Sequence, residues 1–204
     1  RYTHAMYSPA FERDPYRTEL EVAVVDVGEE DGAPWAVTDD TLFYPEGGGQ
    51  PADRGRLGAA AVVDVVRRHG RIVHLLDTAV ACGPARQRLD WGRRFDHMQQ
   101  HTAQHLLTAL ALTRCGWRTT AFHLGPAVSD IELDVAEIPA DRLADLEDAA
   151  NDAVRRGLPV TARLVEPSQL AEGGIRSRGL PAGLEGPLRV VEIAGLDRNT
   201  CGGT

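Results

Sequence analysis

The chain has 204 residues, 43% hydrophobic and 25% charged, with a formal net charge of −8, and all 22 of its basic residues are arginine. That composition excludes disordered, collagen-like and low-complexity classes, and the length can bury one large core or two small ones; two small domains are expected. No apolar run approaches the roughly 20 residues of a membrane helix, and the stretch RYTHAMYSPAFERDPYR is too charged for a signal-peptide core, so neither membrane insertion nor export is expected. Cys82, Cys115 and Cys201 cannot all pair and are widely spaced, which points to a reducing cytoplasmic compartment where a special cysteine is a metal ligand or nucleophile. Without lysine, Schiff-base and lysine general-base mechanisms are closed.

The charge is uneven. Residues 130–152 hold nine acids against Arg142 alone, whereas residues 86–118 carry Arg86, Arg88, Arg93, Arg94, Arg114 and Arg118 against Asp90 and Asp96. Phosphate contacts depend on the local patch and not on the total, so the acidic sum leaves room for a polyanionic partner; a solvated helix face gives the same pattern.

In chain order, residues 19–27 (ELEVAVVDV), 56–66 (RLGAAAVVDVV) and 71–77 (RIVHLLD) are β-branched-rich runs between Gly, Pro and Asp clusters, with Arg68-His69-Gly70 as a tight connection. They predict a small all-β unit. From Arg93 the period becomes helical through Met98, His101, His105, Thr108 and Leu112, ending near Cys115-Gly116. SDIELDV (Ser129 to Val135) alternates as a strand, Pro139 opens a second helix to about Arg156, and residues 160–165 and 188–194 read as further strands. The Gly/Pro-rich stretch 173–187 reads as a loop.

His101 and His105, in HTAQH, lie one helical turn apart and point the same way, the spacing of a two-histidine metal grip. Met98 and Leu112 share that face, so both imidazoles look toward a core where an unpaired polar ring is costly and a cation supplies a partner. Two hydrogen-bonded core histidines would show the same spacing. His97 extends the series by one turn. Thr102 occupies the position where a zincin-type protease carries its glutamate base. Cys201, followed by Gly202 and Gly203, adds a soft ligand on a segment able to wrap an ion.

Four ordered motifs carry a resemblance: FYPEGGGQPADRG (Phe43 to Gly55), RRFDHMQQHTAQHLL (Arg93 to Leu107), FHLGPAVSDIEL (Phe122 to Leu133) and RVVEIAGLDRNTCGGT (Arg189 to Thr204). Together they resemble the editing domain of alanyl-tRNA synthetases, and more closely the AlaX alanyl-tRNA editing proteins, in the freestanding medium-length form. The resemblance implies an α+β architecture: a small N-terminal β-barrel over residues 1–90 carrying the GGGQ loop, then an α+β editing domain over 91–204 with an antiparallel sheet, the HxxxH helix and a zinc site. It implies hydrolysis of serine or glycine wrongly esterified to tRNA(Ala), with no membrane and no obligate protein partner. The metal ligands it implies are His101, His105 and Cys201, with a final histidine falling just past Thr204; His97 lies outside the motif.

Further expectations follow from the same motifs. His123 is a candidate to orient water or act as a base, or else a solvent-exposed strand histidine. Thr119 and Thr120 are candidates for hydroxyl contact with substrate, with Thr120 nearer the chemistry, or are structural strand residues. Asp197 and Asn199, in the loop before Cys201, are candidates to support the site or meet the substrate's amino group. Gly47, Gly48, Gly49 and Gln50 are expected to bring backbone N–H groups toward a ligand. Arg93, Arg94 and Arg118 are expected to form bidentate contacts with tRNA phosphates. Zinc either acidifies water at an open site or, with four ligands, positions substrate for an oriented water. A synthetase editing domain acting in cis or on another tRNA, and a non-catalytic zinc-stabilised tRNA-binding module, are the alternatives.

Overall fold

A computed structural model describes residues 8–125, 128–172, 174–177 and 186–204. The first seven residues, Pro126 and Ala127 of the FHLGPAVSDIEL motif, and most of the expected loop 173–187 lie outside the described residues. The chain divides into two compact units, one running to Gln99 and including Gly203–Thr204, the other Gln100–Gly202.

The first unit opens with a short helix α1 (Ala10–Arg13), followed by β1 (Glu19–Glu30), β2 (Ala33–Thr38), β3 (Gly55–Leu57), β4 (Ala60–Arg68), β5 (Arg71–Leu76) and β6 (Gly83–Leu89). The six strands close into an antiparallel barrel in the order β1-β2-β5-β4-β3-β6. Alternation sends Val22, Val24, Ala36, Leu57, Val62 and Leu76 into one core. The run 56–66 is two strands, β3 and the start of β4, parted at Gly58-Ala59. Closure also needs β2 and β6, which the apolar-run reading passes over. β6 (GPARQRL) looks polar, and its arginines Arg86 and Arg88 face outward, to pair with Glu19. Gln87 turns inward and is fully buried: its Oε1 accepts from Leu42 N–H (2.8 Å), and its Nε2 donates to Thr38 Oγ1 (3.1 Å).

Helix α2 (Trp91–Cys115) begins in the first unit and continues into the second. Its first turns belong with the barrel because Trp91 packs on the barrel core and Arg94 is fully buried there. The Arg94 guanidinium donates from Nε to both oxygens of Asp53 (3.1 and 3.0 Å) and from Nη2 to the same carboxylate, while Nη1 and Nη2 also reach the carbonyls of Pro15 (2.7 Å) and Leu42 (2.6 Å). Asp53 also accepts from Tyr44 N–H (2.7 Å). All three guanidinium nitrogens donate within the barrel unit.

In the second unit α2 is followed by β7 (Thr119–His123), β8 (Asp130–Leu133), α3 (Ala140–Arg155), β9 (Val160–Val165), α4 (Gln169–Glu172), β10 (Leu188–Ile193) and β11 (Asp197–Thr200). Gly116, at φ +74, ends α2 with its N–H on Leu112 O, a left-handed cap that suits glycine. The sheets are antiparallel: β7 pairs with β8, and β10 lies between β9 and β11. Leu106 and Leu110 of α2, Leu146 and Ala153 of α3, and Ile193 of β10 form the core. The acids of the 130–152 run are largely solvated, with Asp141, Glu147, Asp148 and Asp152 on exposed positions of α3. No described helix is long and apolar enough to cross a membrane.

Two barrel groups set expectations for stability. Asp53→Ala leaves the Arg94 guanidinium buried without its counter-charge and should cost about 3–5 kcal/mol in urea unfolding. His74 is 1% exposed; its Nδ1–H donates to Ala36 O (3.1 Å), and its Nε2 accepts from the Thr41 hydroxyl (2.8 Å). Burial outweighs the Ala36 bond and lowers its pKa to about 4. Between pH 6.5 and 4 the unfolded chain therefore binds the extra proton, so His74 makes stability fall as pH drops through that window. Its contribution should lower stability by about 2 kcal/mol between pH 7 and pH 5. His74→Gln should remove that component of the pH dependence in paired urea titrations.

Candidate metal centre

The second part of α2 presents His101, Gln104, His105 and Thr108 on its buried side, where they meet β7. The ring of Phe122 packs 5.4 Å from that of His101, and Thr119 Oγ1 lies 2.8 Å from Thr108 Oγ1. Residues three apart on a regular strand face opposite ways. A register shift between Thr119 and Ala121 in the β7–β8 ladder resolves the conflict: the bulge lets both Thr119 and Phe122 face α2. Thr120 and His123 are left on the exposed face.

β11 brings the remaining groups. Asp197 and Asn199, expected in a loop, stand in a strand: the Ile193↔Asp197 and Val191↔Asn199 pairings with β10 supply the ladder that the polar sequence DRNT does not advertise. Cys201 continues from β11, with its N–H on Arg189 O (3.1 Å) and its carbonyl accepting from Arg189 Nη1 (3.1 Å). Its backbone is held on both sides, unlike that of a frayed terminus.

His101, His105 and Cys201 thereby converge, with one ligand atom of each lying within 4.8 Å of the others. Cys201 Sγ is 3.4 Å from His101 Nε2, and the two imidazole centroids are 5.2 Å apart. His105 Nδ1 faces Asp197 Oδ2 at 3.3 Å, which leaves Nε2 for the cluster. Burial opposes charge here, but hydrogen bonds from His101 and His105 outweigh it and lower the Cys201 thiol to about 5. For His105, burial is likewise overcome by Asp197 and Cys201, which raise it to about 9. Each group favours the charged form of the other, and a metal held there would compete with the protons of the pair.

The other expected residues sit elsewhere. His123 is exposed, with Nδ1 2.9 Å from Asp130 Oδ2, a contact that raises its pKa. Neither it nor Thr120 is brought to the three-ligand cluster, because the bulge turns them outward. Arg94 cannot meet a phosphate: its guanidinium is buried on Asp53, which corrects the expectation that it binds tRNA. Arg93 is half-buried, with Nε on Ala52 O (2.9 Å), and Arg118 is exposed. In the first unit, Gly47 and Gln50 exchange backbone hydrogen bonds (3.1 and 3.0 Å) around Gly48 and Gly49, whose φ values of +57 and +82 make a two-residue hairpin turn that favours glycine. Gln50 is fully buried and donates from Nε2 to Thr204 Oγ1 (2.8 Å). His97 belongs to the first unit, outside the cluster.

No protein-family model matches the chain. It is 33% identical over 206 residues to alanyl-tRNA editing protein AlaX-M of Methanosarcina barkeri, covering 94% of this chain and 84% of that protein. The chain belongs to the alanyl-tRNA editing protein family. Among other members, it is 46% identical over 166 residues to Aarsd1 of Danio rerio, covering 81% of this chain and 40% of that protein. It is 31% identical to AlaX-L of Pyrococcus horikoshii, over 98% of this chain and 51% of that protein. The chain spans about two fifths of the Aarsd1 proteins it matches.

One residue of this editing-family chain escaped the sequence reading. Arg176, in the Gly/Pro-rich stretch, donates from Nε and Nη2 to Asp197 (2.7 and 2.6 Å). Only the requirement that a buried Asp197 find a counter-charge would have pointed to it.

Proposed function

We propose that this chain is a zinc-dependent aminoacyl-tRNA deacylase that hydrolyses tRNA(Ala) mischarged with serine or glycine. The convergence of His101, His105 and Cys201 in a chain of the editing family carries the reading. The donor set suits zinc: imidazole nitrogen and thiolate sulfur are its usual ligands, and a tetrahedral ion at ordinary bond lengths holds N and S about 3.5 Å apart. The His101–Cys201 separation is 3.4 Å. His101, His105 and Cys201 would hold the ion, with the histidine that the family resemblance implies after Thr204 as a fourth ligand. When bound, zinc supplies a Lewis acid and an anchor for substrate.

An aminoacyl ester is already an activated acyl group, so the chain must mainly orient it and a water, and exclude alanine. Asp197 holds His105 Nδ1, keeping the ring turned into the site. Gln104 Nε2 donates to Thr108 Oγ1 (2.7 Å), which lies 2.8 Å from Thr119 Oγ1, and this chain of polar groups is assigned to meet a serine hydroxyl. Alanine has no hydroxyl to join it, which is the basis for rejecting it. Glycine is not separated this way. His123, exposed and paired to Asp130, is not assigned the proton-transfer step.

The test is deacylation of Ser-tRNA(Ala), Gly-tRNA(Ala) and Ser-tRNA(Thr) by the chain extended past Thr204, with zinc measured on the same samples. His105→Ala and Cys201→Ala should lose zinc and slow hydrolysis roughly 100-fold or more. His123→Ala should stay within about threefold, well short of the loss of a general base. Full activity of zinc-free His105→Ala, or tight tRNA binding without turnover in zinc-replete protein, would end the reading; preferential hydrolysis of Ser-tRNA(Thr) would transfer it to another tRNA.

Arg118, exposed, and Arg93 are proposed as phosphate contacts. Arg118→Ala should weaken tRNA binding and lower the slope of log K against log salt by about 1. An unchanged slope removes Arg118 from the interface.

A further inference from the structure

We propose that Arg176 is a positioning residue for the metal centre, acting through Asp197 to fix the orientation of His105. The proposal rests on the zinc reading of that cluster and adds a residue that none of the four motifs contains. The Asp197 side chain is 2% exposed, so its charge has to be met by protein groups. His105 Nδ1 meets one carboxylate oxygen, at 3.3 Å, a single contact too long to stop the carboxylate turning about its own axis. Arg176 engages both oxygens: Nε donates to Oδ1 at 2.7 Å and Nη2 to Oδ2 at 2.6 Å. A planar fork on a planar carboxylate fixes its rotation, and with it the direction from which Oδ2 receives His105.

The fork is itself held. Arg176 N–H donates to Arg198 O (2.8 Å) and Arg176 O accepts from Thr200 N–H (3.0 Å), a parallel bridge flanking Asn199 on β11. The same strand carries Asp197 and leads to Cys201. Arginine, carboxylate and thiol are therefore referenced to one short stretch of backbone, and the imidazole is aligned from it. Lysine could neutralise Asp197 at this position but would present a point charge in place of the fork.

A residue that acts only by neutralising a buried carboxylate would affect folding; one that aligns His105 must affect metal affinity in the folded protein. The test is a double-mutant cycle on zinc affinity, by competition with a chromophoric chelator, for the wild type, Arg176→Ala, Asp197→Asn and the double variant. Arg176→Lys is the second single variant, and all are checked for folding by circular dichroism. Arg176→Ala should weaken zinc binding about 10-fold, Asp197→Asn at least as much, and the double variant no more than Asp197→Asn alone. Arg176→Lys should restore thermal stability without restoring affinity. In parallel, the Nδ1 proton resonance of His105 in the zinc-free protein should be downfield in the wild type and lost or shifted in Arg176→Ala and Arg176→Lys.

Wild-type zinc affinity in Arg176→Ala, effects of Arg176→Ala and Asp197→Asn that multiply, or full restoration of affinity by Arg176→Lys would each overturn the proposal. Should Arg176→Ala not fold, Arg176→Lys carries the comparison. A wild-type chain that binds no zinc would defeat the metal reading instead, and the His105 resonance would still decide whether Arg176 aligns the ring.

Discussion

A carboxylate taken out of water has to be paired, and among the described residues this constraint is met once in each of the two units. In the barrel unit Asp53 is matched by the Arg94 fork; in the second, Asp197 is matched by Arg176 and His105. Each arginine also uses other contacts to stay in place: Arg94 spans the carbonyls of Pro15 and Leu42, and Arg176 is bridged through its backbone to β11. Neither pair is a surface ion pair of small consequence. Removing one partner leaves a charge that burial does not tolerate.

The two pairs lead to different ends. Asp53 and Arg94 tie the start of α2 to connecting segments of the barrel unit, so Arg94 is part of the scaffold although its sequence position invites a role in phosphate binding. Asp197 instead passes its orientation to a side chain that faces the metal cluster. The bulge in β7 plays a comparable part: by displacing the register near Thr120 it aims Thr119 and Phe122 at α2 and sends Thr120 and His123 to solvent. A single inserted residue thus separates the side chains that face α2 from those that face solvent.

Much of this was legible beforehand where the determinant is local. The four-residue spacing of His101 and His105 suffices to stack them on a helix, and the helix end at Cys115-Gly116 follows from glycine accepting a left-handed cap. The apolar alternation of β1, β4 and β5 likewise identifies barrel strands. β6 was not legible, because Gln87 earns its interior position only through Leu42 and Thr38. DRNT contains nothing apolar and so carries no strand signal, and the strand character of β11 comes from the ladder to β10. Arg176 was hidden in a stretch whose composition reads as connection.

The sequence by itself determined the helix that carries the histidine pair and the β-rich first unit, which are consequences of spacing and turn chemistry acting over a few residues. Its ordered motifs carried, separately, the resemblance to the editing family. Tertiary structure alone decided that Cys201 reaches His101, that Asp197 stands behind His105, that Arg176 holds Asp197 and that Arg94 is buried. Each depends on partners far along the chain, where sequence spacing carries no geometric information and the requirement to satisfy buried charge selects the pairing.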